Sequence, residues 1–313
     1  MCNGLDLSVC MITYNQEDYI REAIEGVLMQ ETNFCYNLVI GEDGSTDKTR
    51  QICEEYSKNN YQLIKLLPSD KNIGMMPNFI RTLNSCAGKY IAICEGDDYW
   101  TDPFKLQKQF DFLESNEDFV ICFHNARKLF QHTGDTSKMF FEKVKPKVVS
   151  NLKDIINEDF IPTLTCVFRN NLIKEFPEWY HYAYPGDWPL HILNAQHGKI
   201  RYIDDIMATY RIHKNGVYSG SSSKNHYEKM IPTIIKMKNY LPLPYSIIMA
   251  NTISKTYYSL AKILSNSNDN IVFLRTFGNI IKYNPFRIFL LRRNPIFLLI
   301  LNLYRFIMSE TKQ

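Results

Sequence analysis

Tyr90-Ile91-Ala92-Ile93-Cys94-Glu95-Gly96-Asp97-Asp98 runs from an apolar segment straight into three carboxylates. Its first five residues read as a short strand buried on both faces, as in a parallel sheet. Three carboxylates within four residues repel one another, and at a strand end they need a compensating cation. Hard oxygen ligands suit Mg2+ or Mn2+, which one or two protein carboxylates share with substrate phosphates. The plainer reading is a solvated acidic turn ahead of the next helix, a setting in which Asp is common. Taken alone, the stretch fits both.

Upstream, the chain alternates between two hydrophobic periods. Leu7 to Thr13 is a nearly continuous apolar run and reads as strand one. Ile20, Ala23, Ile24, Val27 and Leu28 form one stripe of a helix. Tyr36 to Gly41 is strand two, Ser45 is the expected N-cap of the next helix, and Gln62 to Leu67 is strand three. Pro77 suits the first turn of a helix carrying Ile80 and Leu83. Downstream, Asp102-Pro103 opens a further helix, and Phe119 to Phe123 is another strand. Repeated strand-helix-strand units of this length imply right-handed crossovers and an α/β fold with a mostly parallel sheet. Ligands bind such sheets beyond the carboxyl ends of the strands. Those ends carry Thr13-Tyr14-Asn15, Glu42-Asp43-Gly44-Ser45 and the acidic cluster. Here Asp43 is placed to accept a hydrogen from a base or ribose, and Tyr14 offers a flat face on which a base could stack.

Composition sets the outer bounds. The 313 residues are 45% hydrophobic and 22% charged, which is globular, and a net charge of +3 gives no reason to expect a nucleic-acid partner. The eight cysteines are scattered through apolar runs with no C-x-x-C, which predicts buried free thiols in a reducing compartment. No signal peptide is legible at the start, so a cytoplasmic location is expected. Residues 126–160 lack periodicity and read as loops. Val217 to Asn225, rich in Ser and Gly, reads as a lid or linker. Residues 271–308 mix Phe, Leu and Ile with Arg and Lys but lack the run of about 20 apolar residues that crosses a bilayer. They fit a basic amphipathic tail on the inner face of the cytoplasmic membrane, or a helix packed on the rest of the protein. Competing nucleotide motifs are absent: there is no G-x-G, no phosphate-binding loop, no H-E-x-x-H and no G-x-S-x-G.

These segments, taken in order, resemble glycosyltransferase family 2. The likeness rests on Ser8-Val9-Cys10-Met11-Ile12-Thr13-Tyr14-Asn15, Glu42-Asp43-Gly44-Ser45-Thr46-Asp47-Lys48-Thr49, Asn72-Ile73-Gly74 and Glu95-Gly96-Asp97-Asp98, and it extends from about Leu7 to Ser219. It implies a GT-A fold and an inverting, metal-dependent transfer of a hexose or N-acetylhexosamine. The implied donor is a nucleotide-diphosphate sugar, UDP-linked by expectation, and the implied acceptor is a saccharide or a lipid-linked saccharide in surface polysaccharide assembly. Residues 1–220 would be the catalytic domain, with a donor half of about 1–125 and an acceptor half of about 126–220. Residues 221–313 would be a helical C-terminal region.

Residue by residue, the resemblance puts Thr13, Tyr14 and Asp43 around the base, with Lys71 nearby. It brings Asp97 to the ribose or donor sugar and makes Asp98 the ligand of Mn2+ or Mg2+. Tyr184-Pro185-Gly186-Asp187-Trp188 looks like the acceptor-side motif, with Asp187 as general base, and Tyr210-Arg211-Ile212-His213 like a segment whose His completes the metal or diphosphate site. Trp100 and Trp188 are candidates for stacking on sugars, or for the core. Arg211 is a candidate diphosphate contact, or a structural ion pair. Glu42 and Glu95 depart from the commoner Asp, and Gly186-Asp187 keeps one carboxylate where the family usually has two. Two other readings stand beside this one. A sugar-nucleotide nucleotidyltransferase would need a Gly-rich basic loop after strand one, where Thr13-Tyr14-Asn15-Gln16-Glu17 stands. A non-catalytic, membrane-peripheral nucleotide-binding protein would have no use for Asp98 and Asp187, and both are present.

Overall fold

A computed structural model describes residues 4–217, 220–264 and 270–285. The chain divides into two compact units, Met1–Ile155 with Asp159–Gly220, and Ile156–Glu158 with Ser221–Gln313.

The first unit opens with β1 (Leu7–Thr13), α1 (Ile20–Leu28), β2 (Tyr36–Glu42), α2 (Thr49–Asn59), β3 (Ile64–Leu66), α3 (Met75–Asn84) and β4 (Tyr90–Ile93). It continues with β5 (Tyr99–Trp100), α4 (Lys105–Ser115), β6 (Phe119–Phe130), β7 (Val149–Ser150) and α5 (Leu152–Asn157), which reaches into the second unit, and then β8 (Val167–Arg169), α6 (Asp187–Ala195) and β9 (Lys199–Ile212). The sheet order is β3-β2-β1-β4-β8-β6-β9-β5, with β7 also on β9. The ladders among β3, β2, β1 and β4, and the long one between β6 and β9, are parallel. The antiparallel pairs, β4–β8, β6–β8, β5–β9 and β7–β9, are two or three residues long. The expected α/β fold with a mostly parallel sheet is therefore what the chain adopts. Leu7, Val9 and Met11 of β1 join Leu38 and Ile40 of β2, Tyr90 and Ala92 of β4 and the apolar stripe of α1 in one buried cluster. Both faces of β1 are buried, which is why its sequence runs apolar without alternation.

Four expectations change. The first helix after β2 starts at Thr49 rather than just after Ser45: Asp47 Oδ1 accepts from Thr49 N, while Ser45 Oγ accepts from Asn15 N across the strand ends. The aperiodic segment after residue 125 begins as a continuation of β6 to Phe130, held against β9, and Gly134 with φ +70° turns the chain back. Of the supposed lid, residues 218 and 219 lie outside the described residues, and Ser222 caps a helix, its Oγ accepting from Asn225 N. Finally, Cys35 is disulfide-bonded, while Cys10, Cys53, Cys86, Cys94, Cys122 and Cys166 are free and buried. Cysteine spacing carries no through-space distance, so that difference was invisible in the sequence.

The second unit contains α7 (Ser223–Tyr240), α8 (Tyr245–Leu264) and α9 (Asn270–Tyr283). Ile231, Ile234 and Met237 of α7 and Met249, Ile253 and Leu260 of α8 are buried, and Ser254 Oγ donates to Ile280 O of α9 at 3.0 Å. The basic amphipathic tail expected over 271–308 lies, from residue 286 on, outside the described residues. No helix among the described residues is long and apolar enough to cross a membrane.

Candidate functional site

Because β1, β2 and β4 run parallel, their carboxyl ends lie on one edge of the sheet. That edge gathers Tyr14, Asp43 and Glu95 to Asp98, as the sequence implies. Tyr14 is 44% exposed, so one face of its ring is available. Thr13 is buried, and its Oγ1 donates to Gln16 Oε1 at 2.7 Å. Asp43 is buried too, and its two oxygens accept from Ile73 N at 2.9 Å and Gly74 N at 3.0 Å. Asp43 thus folds the 72–74 turn against β2. Lys71 is exposed just before that turn, and its main chain closes on Gly44, where a Cβ would meet the Lys71 carbonyl carbon at 2.6 Å. Gly44 has φ +67°, so the close approach and the backbone both demand glycine.

The acidic cluster sorts its carboxylates by depth. Gly96 allows the approach to β1: a Cβ there would meet Thr13 Cβ at 2.7 Å. Asp98, expected as the metal ligand, is 2% exposed, and its Oδ1 accepts from Arg211 N at 2.7 Å. Burial raises its pKa well above the usual carboxylate range, the charges of Asp97 and Glu95 add to this, and the Arg211 N–H and guanidinium pull the other way. Asp97 keeps the outer position, and its Oδ2 lies 2.9 Å from His213 Nε2. Glu95 is also pushed up, first by desolvation, then by Asp97 and by Asp187.

Asp187 opens α6. Thr163 Oγ1, from the single-turn 3-10 helix Thr163–Thr165, donates to Asp187 Oδ2, and Trp188 N donates to Oδ1 at 2.8 Å. One turn on, His191 is fully buried, and burial lowers its pKa to about 4, so its imidazole is neutral at physiological pH.

Three expected site residues have other work. Trp100 and Trp188 are buried, and their indole N–H groups donate to Leu164 O at 2.9 Å and Ile155 O at 2.7 Å. They belong to the core, because a strand end and a helix start both turn these rings inward. The Arg211 side chain is 5% exposed and ion-pairs with Glu22 at 2.5 Å, which fits the structural alternative. Sequence reading missed Thr163, Glu22, Tyr19 and Gln131, which support the site from other segments, and Tyr99, which follows Asp98 directly; none carries a motif of its own.

Among the described residues no group of three or more His, Cys, Asp and Glu side chains is arranged to hold a metal. The Asp97–His213 pair nevertheless fits a divalent cation of the Mn2+ or Mg2+ kind. A carboxylate and an imidazole converge there, Asp97 Oδ2 and His213 Nε2 lying 2.9 Å apart. Such ions leave much of their coordination to phosphate oxygens and water, so two protein ligands suffice.

Comparison with known proteins agrees with the fold. The model of the family described as "Glycosyl transferase family 2" matches residues 8–176. An uncharacterized protein of Mycobacterium tuberculosis (strain ATCC 25618 / H37Rv) is 35% identical over 212 residues, covering 68% of this chain and 60% of the relative. The matched region thus spans less than two thirds of that relative. Among solved structures, S. aureus TarS residues 1–349 in complex with UDP-GlcNAc superposes with a TM-score of 0.66 at 19% identity, covering 90% of this chain and 82% of that one. The mannosyltransferase PcManGT from Pyrobaculum calidifontis, in complex with GDP-Man and Mn2+, gives 0.58 at 13% identity, covering 90% and 81%. At these identities the structural likeness establishes the fold.

Proposed function

The chain belongs to glycosyl transferase family 2, and on that premise we propose that it transfers a hexose or N-acetylhexosamine, with inversion, from a nucleotide-diphosphate sugar, UDP-linked by preference, to a saccharide or lipid-linked acceptor of surface polysaccharide assembly. The observation that supports the reading is the Asp97–His213 pair, 2.9 Å apart after the acidic turn, together with Asp187 held by Thr163 Oγ1 and Trp188 N at the start of α6. A leaving diphosphate and an attacking hydroxyl need opposite sides of one sugar, and on this reading the Asp97–His213 pair would serve the first and Asp187 the second.

Tyr14 would stack on the base, and the turn braced by Asp43 would line the pocket with Lys71 at its rim. Asp97 and His213 would hold Mn2+ or Mg2+, which supplies Lewis-acid neutralisation of the leaving diphosphate. Asp98 stays beneath them as the buried carboxylate that fixes the end of β9. Asp187 would accept the acceptor hydroxyl's proton, and its bonds to Thr163 Oγ1 and Trp188 N leave it oriented for that one task. The catalytic unit would be residues 1–220, with the helical region that follows carrying the protein to the inner face of the cytoplasmic membrane through its basic tail.

The test is a panel of nucleotide sugars scored by thermal unfolding with and without Mn2+. A donor bound with metal raises the melting temperature by mass action. Asp187→Asn should keep that response and lose transfer by about 100-fold or more, the scale of a general base. No response to any nucleotide in either condition overturns the reading, and loss of the response in Asp187→Asn removes Asp187 from the base role.

A further inference from the structure

Arg211 is the most heavily committed side chain near the cleft. Its Nε donates to Asp97 O at 2.8 Å, Nη1 to Gln131 Oε1 at 2.9 Å and Nη2 to Glu22 Oε2 at 2.5 Å, while its own backbone N donates to Asp98 Oδ1 at 2.7 Å. Two aromatic rings cover the guanidinium, Tyr19 at 4.8 Å and Tyr99 at 5.1 Å from its carbon to the ring centroids. The Tyr19 ring also packs on His213, at 4.8 Å between centroids. A planar fork held at three nitrogens and between two rings has one allowed orientation.

We propose that Arg211 is a positioning residue that sets the spacing of Asp97 and His213, gripping the Asp97 carbonyl from β9 while its backbone N–H anchors Asp98. The proposal rests on the reading of Asp97 and His213 as the cation-binding pair, and assigns Arg211 no contact with the donor. Its reach explains the choice of residue. The two sides of the pair come from loops 116 residues apart in sequence, and Glu22 of α1 lies 189 residues from Arg211. One side chain therefore ties α1, the acidic turn, β9 and the Gln131 turn after β6 into a single frame. Lysine keeps the charge but replaces the fork by a single ammonium on a flexible stem, so it cannot reproduce the three bonds together.

Two measurements separate positioning from donor contact: Mn2+ affinity in the presence of UDP, read by electron paramagnetic resonance of free Mn2+, and UDP affinity without metal, read by calorimetry. Arg211→Lys should weaken Mn2+ binding by about tenfold or more, as loss of a group supporting a metal ligand does. Its metal-free UDP affinity should stay within about twofold of wild type. Glu22→Gln, which leaves the fork in place but removes its counter-charge, should shift Mn2+ affinity in the same direction by a smaller factor. A loss of metal-free UDP affinity equal to the loss of Mn2+ affinity would make Arg211 a diphosphate contact and overturn the proposal. Unchanged Mn2+ affinity in folded Arg211→Lys would overturn it equally. If Arg211→Lys loses its circular dichroism signature, Glu22→Gln and Tyr99→Leu carry the test against the same two outcomes. Wild-type protein that binds UDP but no Mn2+ overturns the clamp alone, whereas wild type that binds neither overturns the functional reading with it.

Discussion

Replacing Lys105 by methionine should stabilise the protein at neutral pH, and the gain should shrink as the pH rises. Lys105 is fully buried on α4, with its Nζ 3.9 Å above the Trp100 ring centroid and no hydrogen-bond partner among the described residues. Burial lowers its pKa from 10.5 to about 8, with the nearby thiols of Cys166, Cys94 and Cys122 opposing that fall. The sign follows from where the proton sits. Below pH 8 the folded chain carries a buried charge that the unfolded chain carries in water, so the full penalty applies. Between pH 8 and 10.5 the folded protein sheds the proton while the unfolded chain keeps it, so stability rises with pH across that window. At ~1.4 kcal/mol per pH unit the penalty is about 3 kcal/mol at pH 7 and falls to about 1.4 kcal/mol at pH 9.5. Methionine keeps the apolar stem on Trp100 but forfeits a cation–π contact of about 1–2 kcal/mol. The net gain at pH 7 is therefore about 1–2 kcal/mol, and the wild-type-to-variant difference should change by about 2 kcal/mol between the two pH values. Urea unfolding of both proteins at pH 7 and 9.5 measures it. A variant that is less stable at pH 7, or a difference that does not move with pH, refutes the reasoning.

Other consequences are narrower. Thr163→Val removes the hydroxyl that orients Asp187 and should lower kcat about 10- to 100-fold with donor affinity unchanged, since a hydrogen bond to a charged group is worth about 1.5–3 kcal/mol; steady-state kinetics with varied donor checks this. Trp188→Phe leaves Ile155 O without its indole partner and should cost about 1–3 kcal/mol in chemical unfolding, while the acceptor KM stays put because the ring is not in a sugar subsite. Gly44→Ala places a Cβ against the Lys71 and Asn72 main chain at a positive φ. It should cost more than 1 kcal/mol of stability and weaken nucleotide binding, as measured by calorimetry, by displacing the 72–74 turn.

The sequence and the structure agree where the information is local. β1, β2 and β4 were legible because strands buried on both faces are apolar throughout, and the polar residues that end them mark the ligand edge. Asp187 was singled out as a candidate by its segment alone, and the structure places it at the start of α6. Depth was not legible. Adjacent Asp97 and Asp98 are equivalent in a string of letters, yet one faces the cleft and the other is sealed by a main-chain N–H contributed from 113 residues away. Trp100 and Trp188 stayed undecided for the same reason: an aromatic beside a motif reads the same whether its ring points to a sugar or to a carbonyl in the core. Ser45 reads as a helix cap until Asn15 is seen across from it, and Thr163 has no signature at all.

The position of β9 along the chain has a kinetic side. A polypeptide that emerges from its amino end completes β1, α1, β2, α2, β3, α3 and β4, and with them the edge bearing Tyr14 and Asp43, long before Lys199–Ile212 exists. Until that strand docks on β6, Asp98 has no N–H to meet it and Asp97 has no histidine beside it. Pairings of such high sequence separation form late and slowly. On the proposed function, a nascent or truncated chain of this kind would have the shelf for a nucleotide base and no grip on its phosphates, and donor engagement would wait until the last strand of the sheet is in place.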